Sequence, residues 1–187
     1  MKLALVKAVA GSSGEFSGTP QSGISYDRVG FHMIANDGNI MEHAIPVDGS
    51  LDLDNDGNAN EHRGMLPTQA IGERYDIIVD FASQGINPGD KLYLVNVLEL
   101  DNGRGPKGAL PLGNVLSGAY QATQSGNLWT GGDPAVEKII EFRVEAYSGQ
   151  DLSMNPADFE PGGAKITSQE SGFLPRHCTP SAEHEIQ

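Results

Sequence analysis

At 187 residues the chain has the length of one domain, or of one domain with a tail. Its 25 acidic side chains against 12 basic ones give a formal charge of −13. That balance repels phosphate backbones and anionic lipid, and so argues against nucleic acid or a membrane surface as partner. The single cysteine, Cys178, excludes an intrachain disulfide, and no apolar run approaches the roughly 18 residues that cross a bilayer.

The 38% hydrophobic fraction is enough for one core, and 24 glycines with 11 prolines favour short strands joined by turns over a helical bundle. Residues 1–10 open with a basic residue, but Lys7 interrupts the apolar run Leu3-Ala4-Leu5-Val6. An export leader needs at least about seven apolar residues, so the segment reads as a strand. Residues 11–25, rich in Gly, Ser, Thr and Pro, read as a loop. Residues 29–35 form a strand candidate, stopped by the turn chemistry of Asn36-Asp37-Gly38-Asn39. Ile45-Pro46-Val47 reads as a short piece of edge strand.

In residues 74–81 the two-residue period sets Tyr75, Ile77, Val79 and Phe81 on one face. Residues 91–98 are apolar on both faces, as a central strand requires. In residues 139–145, Ile140, Phe142 and Val144 are expected to point in, and Glu141, Arg143 and Glu145 out. No stretch offers ten residues of helical period. Residues 102–133 read as a long irregular excursion, and from Ala146 onward the periodic pattern dissolves. These elements predict an all-β sandwich over residues 1–147, with residues 148–187 as a linker or tail.

Several segments resemble the second cupredoxin domain of three-domain multicopper oxidases. The run from Phe31 through Asn36-Asp37-Gly38-Asn39 to Met41, with Pro46-Val47 after it, is similar to that domain's strand ending in an I-x-x-D-G turn. Residues 69–81, with Glu73-Arg74-Tyr75-Asp76-Ile77-Ile78-Val79-Asp80-Phe81, are similar to the family's L-x-P-x-E-R-Y-D-V-I-V-D-F signature. Residues 89–96 resemble the strand that follows. Residues 139–144, then Asp151, Ser153 and Pro156, resemble the closing strand and the exit toward a third domain. The resemblance is nearest to laccase-like enzymes, including spore-coat laccases, bilirubin oxidases and bacterial metal oxidases.

The resemblance implies a cupredoxin-like Greek-key fold and a copper-free spacer within an enzyme that oxidises phenolic, pigment or metal-ion substrates and reduces dioxygen to water. It implies flanking cupredoxin domains as partners, copper in the parent enzyme, and a periplasmic or secreted location. Glu73, Arg74, Asp76 and Asp80 are expected to be structural. Copper needs thiolate and imidazole ligands, which the family supplies as His-x-His pairs and a His-Cys-His motif. The five histidines here are His32, His43, His62, His177 and His184, with no His-x-His. Thr179 follows Cys178, and His184 stands six residues beyond it. No copper ligand set is therefore expected, which also argues against an independent electron-carrying cupredoxin.

The sharpest ligand pattern is Asp52-Leu53-Asp54-Asn55-Asp56-Gly57-Asn58-Ala59-Asn60-Glu61. Alternating Asp52, Asp54 and Asp56 before the turn Gly57 match the D-x-D-x-D-G start that wraps oxygen ligands around Ca²⁺. The Asn58 carbonyl is the expected backbone ligand and Glu61 the closing carboxylate. Ca²⁺ is the expected ion; the competing reading of these residues is a solvated acidic insertion between strands. A second functional expectation follows: a stand-alone extracellular β-sandwich binding module stabilised by calcium.

Overall fold

The computed structural model describes residues 1–9, 25–101, 105–120, 122–125, 128–130, 132–149 and 154–166. The strands are β1 (Leu3–Ala8), β2 (Tyr26–Arg28), β3 (Phe31–Asn36), β4 (Asn39–Val47), β5 (Tyr75–Ile78), β6 (Lys91–Asn96), β7 (Leu98–Asp101), β8 (Gly105–Ala109), β9 (Thr123–Ser125), β10 (Leu128–Thr130) and β11 (Lys138–Arg143). A five-residue helix, α1 (Leu112–Leu116), and 3-10 turns at Ala59–His62 and Pro156–Phe159 are the helical elements among the described residues. The class is all-β, with every strand pair antiparallel.

The strands form a four-stranded sheet in the order β11-β6-β1-β2 and a three-stranded sheet in the order β4-β3-β5. The chain lays down β1 and β2, builds the whole three-stranded sheet, and only then returns as β6 to pair with β1, with Leu5 opposite Leu94. Both central strands of the larger sheet are apolar on both faces, and the packing explains why. Leu3, Leu5 and Leu92 face Phe31, Met33 and Val47 of the second sheet in one core cluster. On the reverse face Ala4, Val6, Tyr93, Val95 and Val97 form a second cluster, against which Leu112, Val115 and Leu116 of α1 pack. Each such large apolar side chain contributes about 1.5–3 kcal/mol on burial.

The excursion after β6 therefore closes the back of the larger sheet. Asn96, buried at the exit of β6, accepts from the amides of Lys2 and Leu98 and donates to the carbonyls of Leu98 and Ala135. Buried Glu99 accepts from Lys107 at 3.1 Å and from the Tyr120 hydroxyl at 3.0 Å. The Tyr120 oxygen in turn accepts the Asp133 amide at 2.5 Å. A buried carboxylate is stable only with such partners.

The strand at residues 74–81 ends earlier than its alternation suggests. Tyr75, Ile77 and Val79 pack on the first core cluster, but Phe81 is 41% exposed and its carbonyl receives the Ile86 amide in a turn. In β11, Ile140 and Phe142 are exposed at 44% and 42%, contrary to the inward placement expected of them. The cause is position: β11 is the edge strand of the larger sheet, with a strand neighbour on one side only among the described residues. Ile139, displaced by a register shift between Lys138 and Ile140, packs on the core instead, as does Val144. The Glu141 side chain is only 9% exposed, accepting from the Tyr93 hydroxyl at 2.9 Å and from Arg143 at 2.6 Å.

The segment at 45–47 belongs to a longer edge strand. In β4 the register jumps from Ala35↔Ile40 to Met33↔Ile45, so Met41 to Ala44 form a bulge opposite Ile34. His43 lies in this bulge, its Nδ1 buried without a hydrogen-bond partner. Residues 154–166 run along the same sheet. Glu160 holds His32 at 2.7 Å, Lys165 pairs with Glu42, and the Ile166 amide donates to the Glu42 carbonyl.

Candidate metal site in the acidic loop

The acidic loop leaves β4 at Val47 and is pinned at its far end by Gly64. The Gly64 amide donates to Val47 and its carbonyl accepts from Leu5. A Cβ at Gly64 would lie 2.7 Å from the Val29 carbonyl, and its φ of +65° is one that glycine adopts freely. Arg28 on β2 adds a second tie, donating to the carbonyls of Asn60 and Glu61. The loop thus starts from β4 of the three-stranded sheet and is tied at its far end, residues 60–64, to β1 and β2 of the larger sheet, while its tip is exposed.

Inside the loop Asp52 accepts from the amides of Asp56 at 3.3 Å and Gly57 at 2.7 Å, and Asp56 accepts from the Asn58 amide at 2.8 Å. Asn55 and Gly57 take positive φ, which folds the chain back on itself. The Gly57 amide is the largest influence holding the Asp52 carboxyl below its ordinary range. Carboxylate oxygens of Asp54, Asp56 and Glu61 lie within 4.8 Å of one another. Asp52, Asp54 and His62 form a second group of the same size, so Asp54 is common to both.

Of the residues singled out from sequence, Asp54, Asp56 and Glu61 therefore converge, while Asp52 joins Asp54 in the group that holds His62. The fifth, Asn58, has its carbonyl engaged by the Glu61 amide at 3.1 Å, and a carbonyl keeps a second lone pair. Sequence reasoning missed His62, whose Nε2 lies 3.2 Å from Asp54 and 3.7 Å from Glu61. Its only sequence signal is adjacency to Glu61. A groove of about 640 Å³ lined by Lys7, Arg28, Arg63, Asn58 and Glu61 runs beside the loop. The donor set of Asp54, Asp56 and Glu61 is all oxygen, which suits a hard cation; adding His62 would introduce one nitrogen.

The two segments that resemble the oxidase domain meet at one junction. Asp37 and Arg74 exchange two hydrogen bonds, and Glu73 accepts from the Tyr75 hydroxyl, the Ala70 amide and, within 3.5 Å, the Asn36 side chain. Asp80 caps its own turn by accepting from the amides of Ala82 and Ser83. These contacts are structural for Glu73, Arg74 and Asp80, whereas Asp76 is exposed on β5. Among the described residues, His32 goes to Glu160, His43 lies in the β4 bulge and His62 in the acidic loop. The cluster of His177, Cys178 and His184 lies outside the described residues.

No family model matches the chain, no curated protein matches it, and no solved structure matches it.

Proposed function

We propose that this chain is a copper-free, cupredoxin-like Greek-key domain that serves as a structural spacer in a multicopper oxidase. One observation carries the reading: the two most distinctive segments of the resemblance, Asn36-Asp37 and Glu73-Arg74-Tyr75, are locked together by side-chain and backbone hydrogen bonds. Residues that fix a hairpin to its neighbouring strand bear on folding, not on electron transfer. In this reading the partners are flanking cupredoxin domains, copper belongs to them, and the parent acts on phenolic, pigment or metal-ion substrates outside the cytoplasm. The test is the coding sequence on both sides. His-x-His pairs upstream and a His-Cys-His motif downstream are expected; an open reading frame without either set would end the proposal. The purified chain is expected to take up no stoichiometric copper and to turn over no phenolic substrate.

A second reading rests on a separate observation, the convergence of Asp54, Asp56 and Glu61, with Asp52 beside Asp54, on a loop tied down at residues 60–64. In it, the chain is an extracellular β-sandwich module whose acidic loop holds Ca²⁺, with Asn58 giving its carbonyl. The ion would neutralise mutually repelling carboxylates and so stabilise the loop. Elemental analysis after calcium loading, beside zinc loading, decides between a calcium loop and a site recruiting His62.

A further inference from the structure

We propose that the outer edge of β11 is a self-complementary docking surface, and that two copies of the chain pair there, antiparallel, about a twofold axis at Phe142. β11 is an edge strand that pairs only with β6 among the described residues. It carries no proline and exposes two large apolar side chains, Ile140 and Phe142. A strand edge of this kind offers a row of open backbone groups to another chain.

The direction of those groups follows from hydrogen bonds at either end of the strand. The Val144 amide donates to Asp90 and its carbonyl accepts from Gly89. At the other end the Asn96 amide donates to Glu137. Ile140 lies opposite Leu94 and Phe142 opposite Leu92. With the two-residue repeat, the backbone groups of Ile140, Phe142 and Val144 face β6, and those of Glu141 and Arg143 face away from the sheet.

A twofold axis perpendicular to the sheet must pass through a residue position, because facing residues in an antiparallel pair point to the same side. Of the possible centres, Phe142 satisfies every position. Glu141 then faces Arg143 of the second copy twice over, and both residues are those with outward backbone groups, so each such pair exchanges two hydrogen bonds. Phe142 meets Phe142 at the close, non-hydrogen-bonded position, and Ile140 meets Val144. A centre at Glu141 would instead set like charges face to face. The register thus covers the apolar surface and matches opposite charges in one step, giving a continuous sheet of eight strands from two four-stranded halves. The charge of −13 on each copy opposes association at long range. At physiological ionic strength that repulsion is screened beyond about 8 Å, so it leaves contacts inside the interface largely intact.

The inference is independent of the oxidase reading, and its test uses the 187-residue chain at physiological salt. Analytical ultracentrifugation over a roughly hundredfold concentration range should show a monomer–dimer equilibrium. Phe142→Lys should weaken association by about tenfold or more without changing circular dichroism or, at dilutions where both chains are monomeric, the melting temperature, since the side chain is already 42% exposed. Arg143→Glu should weaken it similarly by opposing like charges, and the double change Glu141→Arg with Arg143→Glu should restore it. Should Phe142→Lys misfold, amide exchange of the wild-type chain serves instead: Glu141 and Arg143 amides should gain protection as concentration rises. A wild-type monomer throughout overturns the proposal. So does a dimer indifferent to both single changes, a double change that folds but stays monomeric, or protection at Glu141 and Arg143 that does not depend on concentration, which would mean the chain's own segment covers the edge.

Discussion

Asp37 and Arg74 hold each other at two points: the Asp37 amide donates to the Arg74 carbonyl at 2.9 Å, and the Arg74 amide donates to Asp37 Oδ1 at 2.9 Å. Asp37 also carries a φ of +51° beside Gly38 at +81°, the pair of positive angles that a tight hairpin turn between β3 and β4 demands. One residue thus sets the turn and fastens it to the start of β5. Asp37→Ala should remove the acceptor and place a residue with no local side-chain hydrogen bond in left-handed backbone. The expected cost is about 1–3 kcal/mol, or a fall of several degrees in Tm for a chain of this size. Asp37→Asn, which keeps the oxygen and tolerates the angle, should stay near wild type. Thermal melts of the two variants side by side check this.

The neighbouring pair, Glu73 and Tyr75, bonded at 2.8 Å, brackets stability in pH. The Ala70 amide first, and then the Tyr75 hydroxyl, hold the Glu73 carboxyl below its ordinary 4.5. A depressed acid stabilises the fold above its unfolded value, and that contribution fades as pH falls through the folded one. Burial first, and then the bond to Glu73, push the Tyr75 hydroxyl from 10.0 up to about 12. A raised group contributes fully below its unfolded value, so this contribution is intact up to about pH 10 and is lost as pH rises toward 12. Tyr75→Phe should flatten the alkaline fall of Tm relative to wild type. Part of the fall should remain, because burial also raises the Tyr120 hydroxyl. An identical alkaline limb in the variant would contradict the assignment.

Tyr120 joins parts of the excursion that are distant in sequence, since it bonds both Glu99 and the Asp133 amide. Tyr120→Phe would leave the buried Glu99 with Lys107 alone and the Asp133 amide without its acceptor. Loss of two such bonds should cost about 1–3 kcal/mol. The effect should appear as faster amide exchange around β7, β8 and Asp133, while β1 and β6 keep their protection. Uniform loss across the larger sheet would show instead that the excursion and the sheet unfold as one unit.

The sequence makes β6 legible because a strand buried on both faces must be apolar on both, and residues 91–98 are. The Asn36-Asp37-Gly38-Asn39 turn is legible for a local reason as well, since few residues accept its backbone angles. The placement of Ile140 and Phe142 is not legible. Alternation tells which side chains share a face, but whether that face is covered depends on where the strand lies in its sheet, and β11 lies at the edge. The Glu99–Tyr120–Asp133 network leaves no trace for the same reason: its members stand in no periodic relation, and only the folded path of the excursion brings them together. In the acidic loop the alternating aspartates announce themselves, whereas His62 enters through the 3-10 turn that carries it back toward Asp54.

Asp54 is the carboxylate common to both candidate ligand groups, so it is the side chain on which cation binding by the loop should depend most. An ion that binds the folded chain and not the unfolded one raises stability by RT ln(1 + [L]/Kd), which is about 2.7 kcal/mol at a hundredfold excess over Kd. For a chain of this length that corresponds to a rise of roughly 5–11 °C in Tm, and the one- to tenfold excess that millimolar calcium gives over a weak site to roughly 1–6 °C. Thermal melts at roughly millimolar calcium, a level suited to weak extracellular sites, should therefore lie above melts in chelator. Asp54→Ala should abolish the difference. Its effect in chelator should be small or even favourable, because it relieves repulsion among Asp52, Asp54 and Asp56. His62→Ala should leave a calcium response intact, since the hard ion prefers oxygen, but should remove any response to zinc. Superimposable melts with and without calcium, together with no bound cation by elemental analysis, would make the loop an ordinary solvated insertion clamped by Gly64 and Arg28.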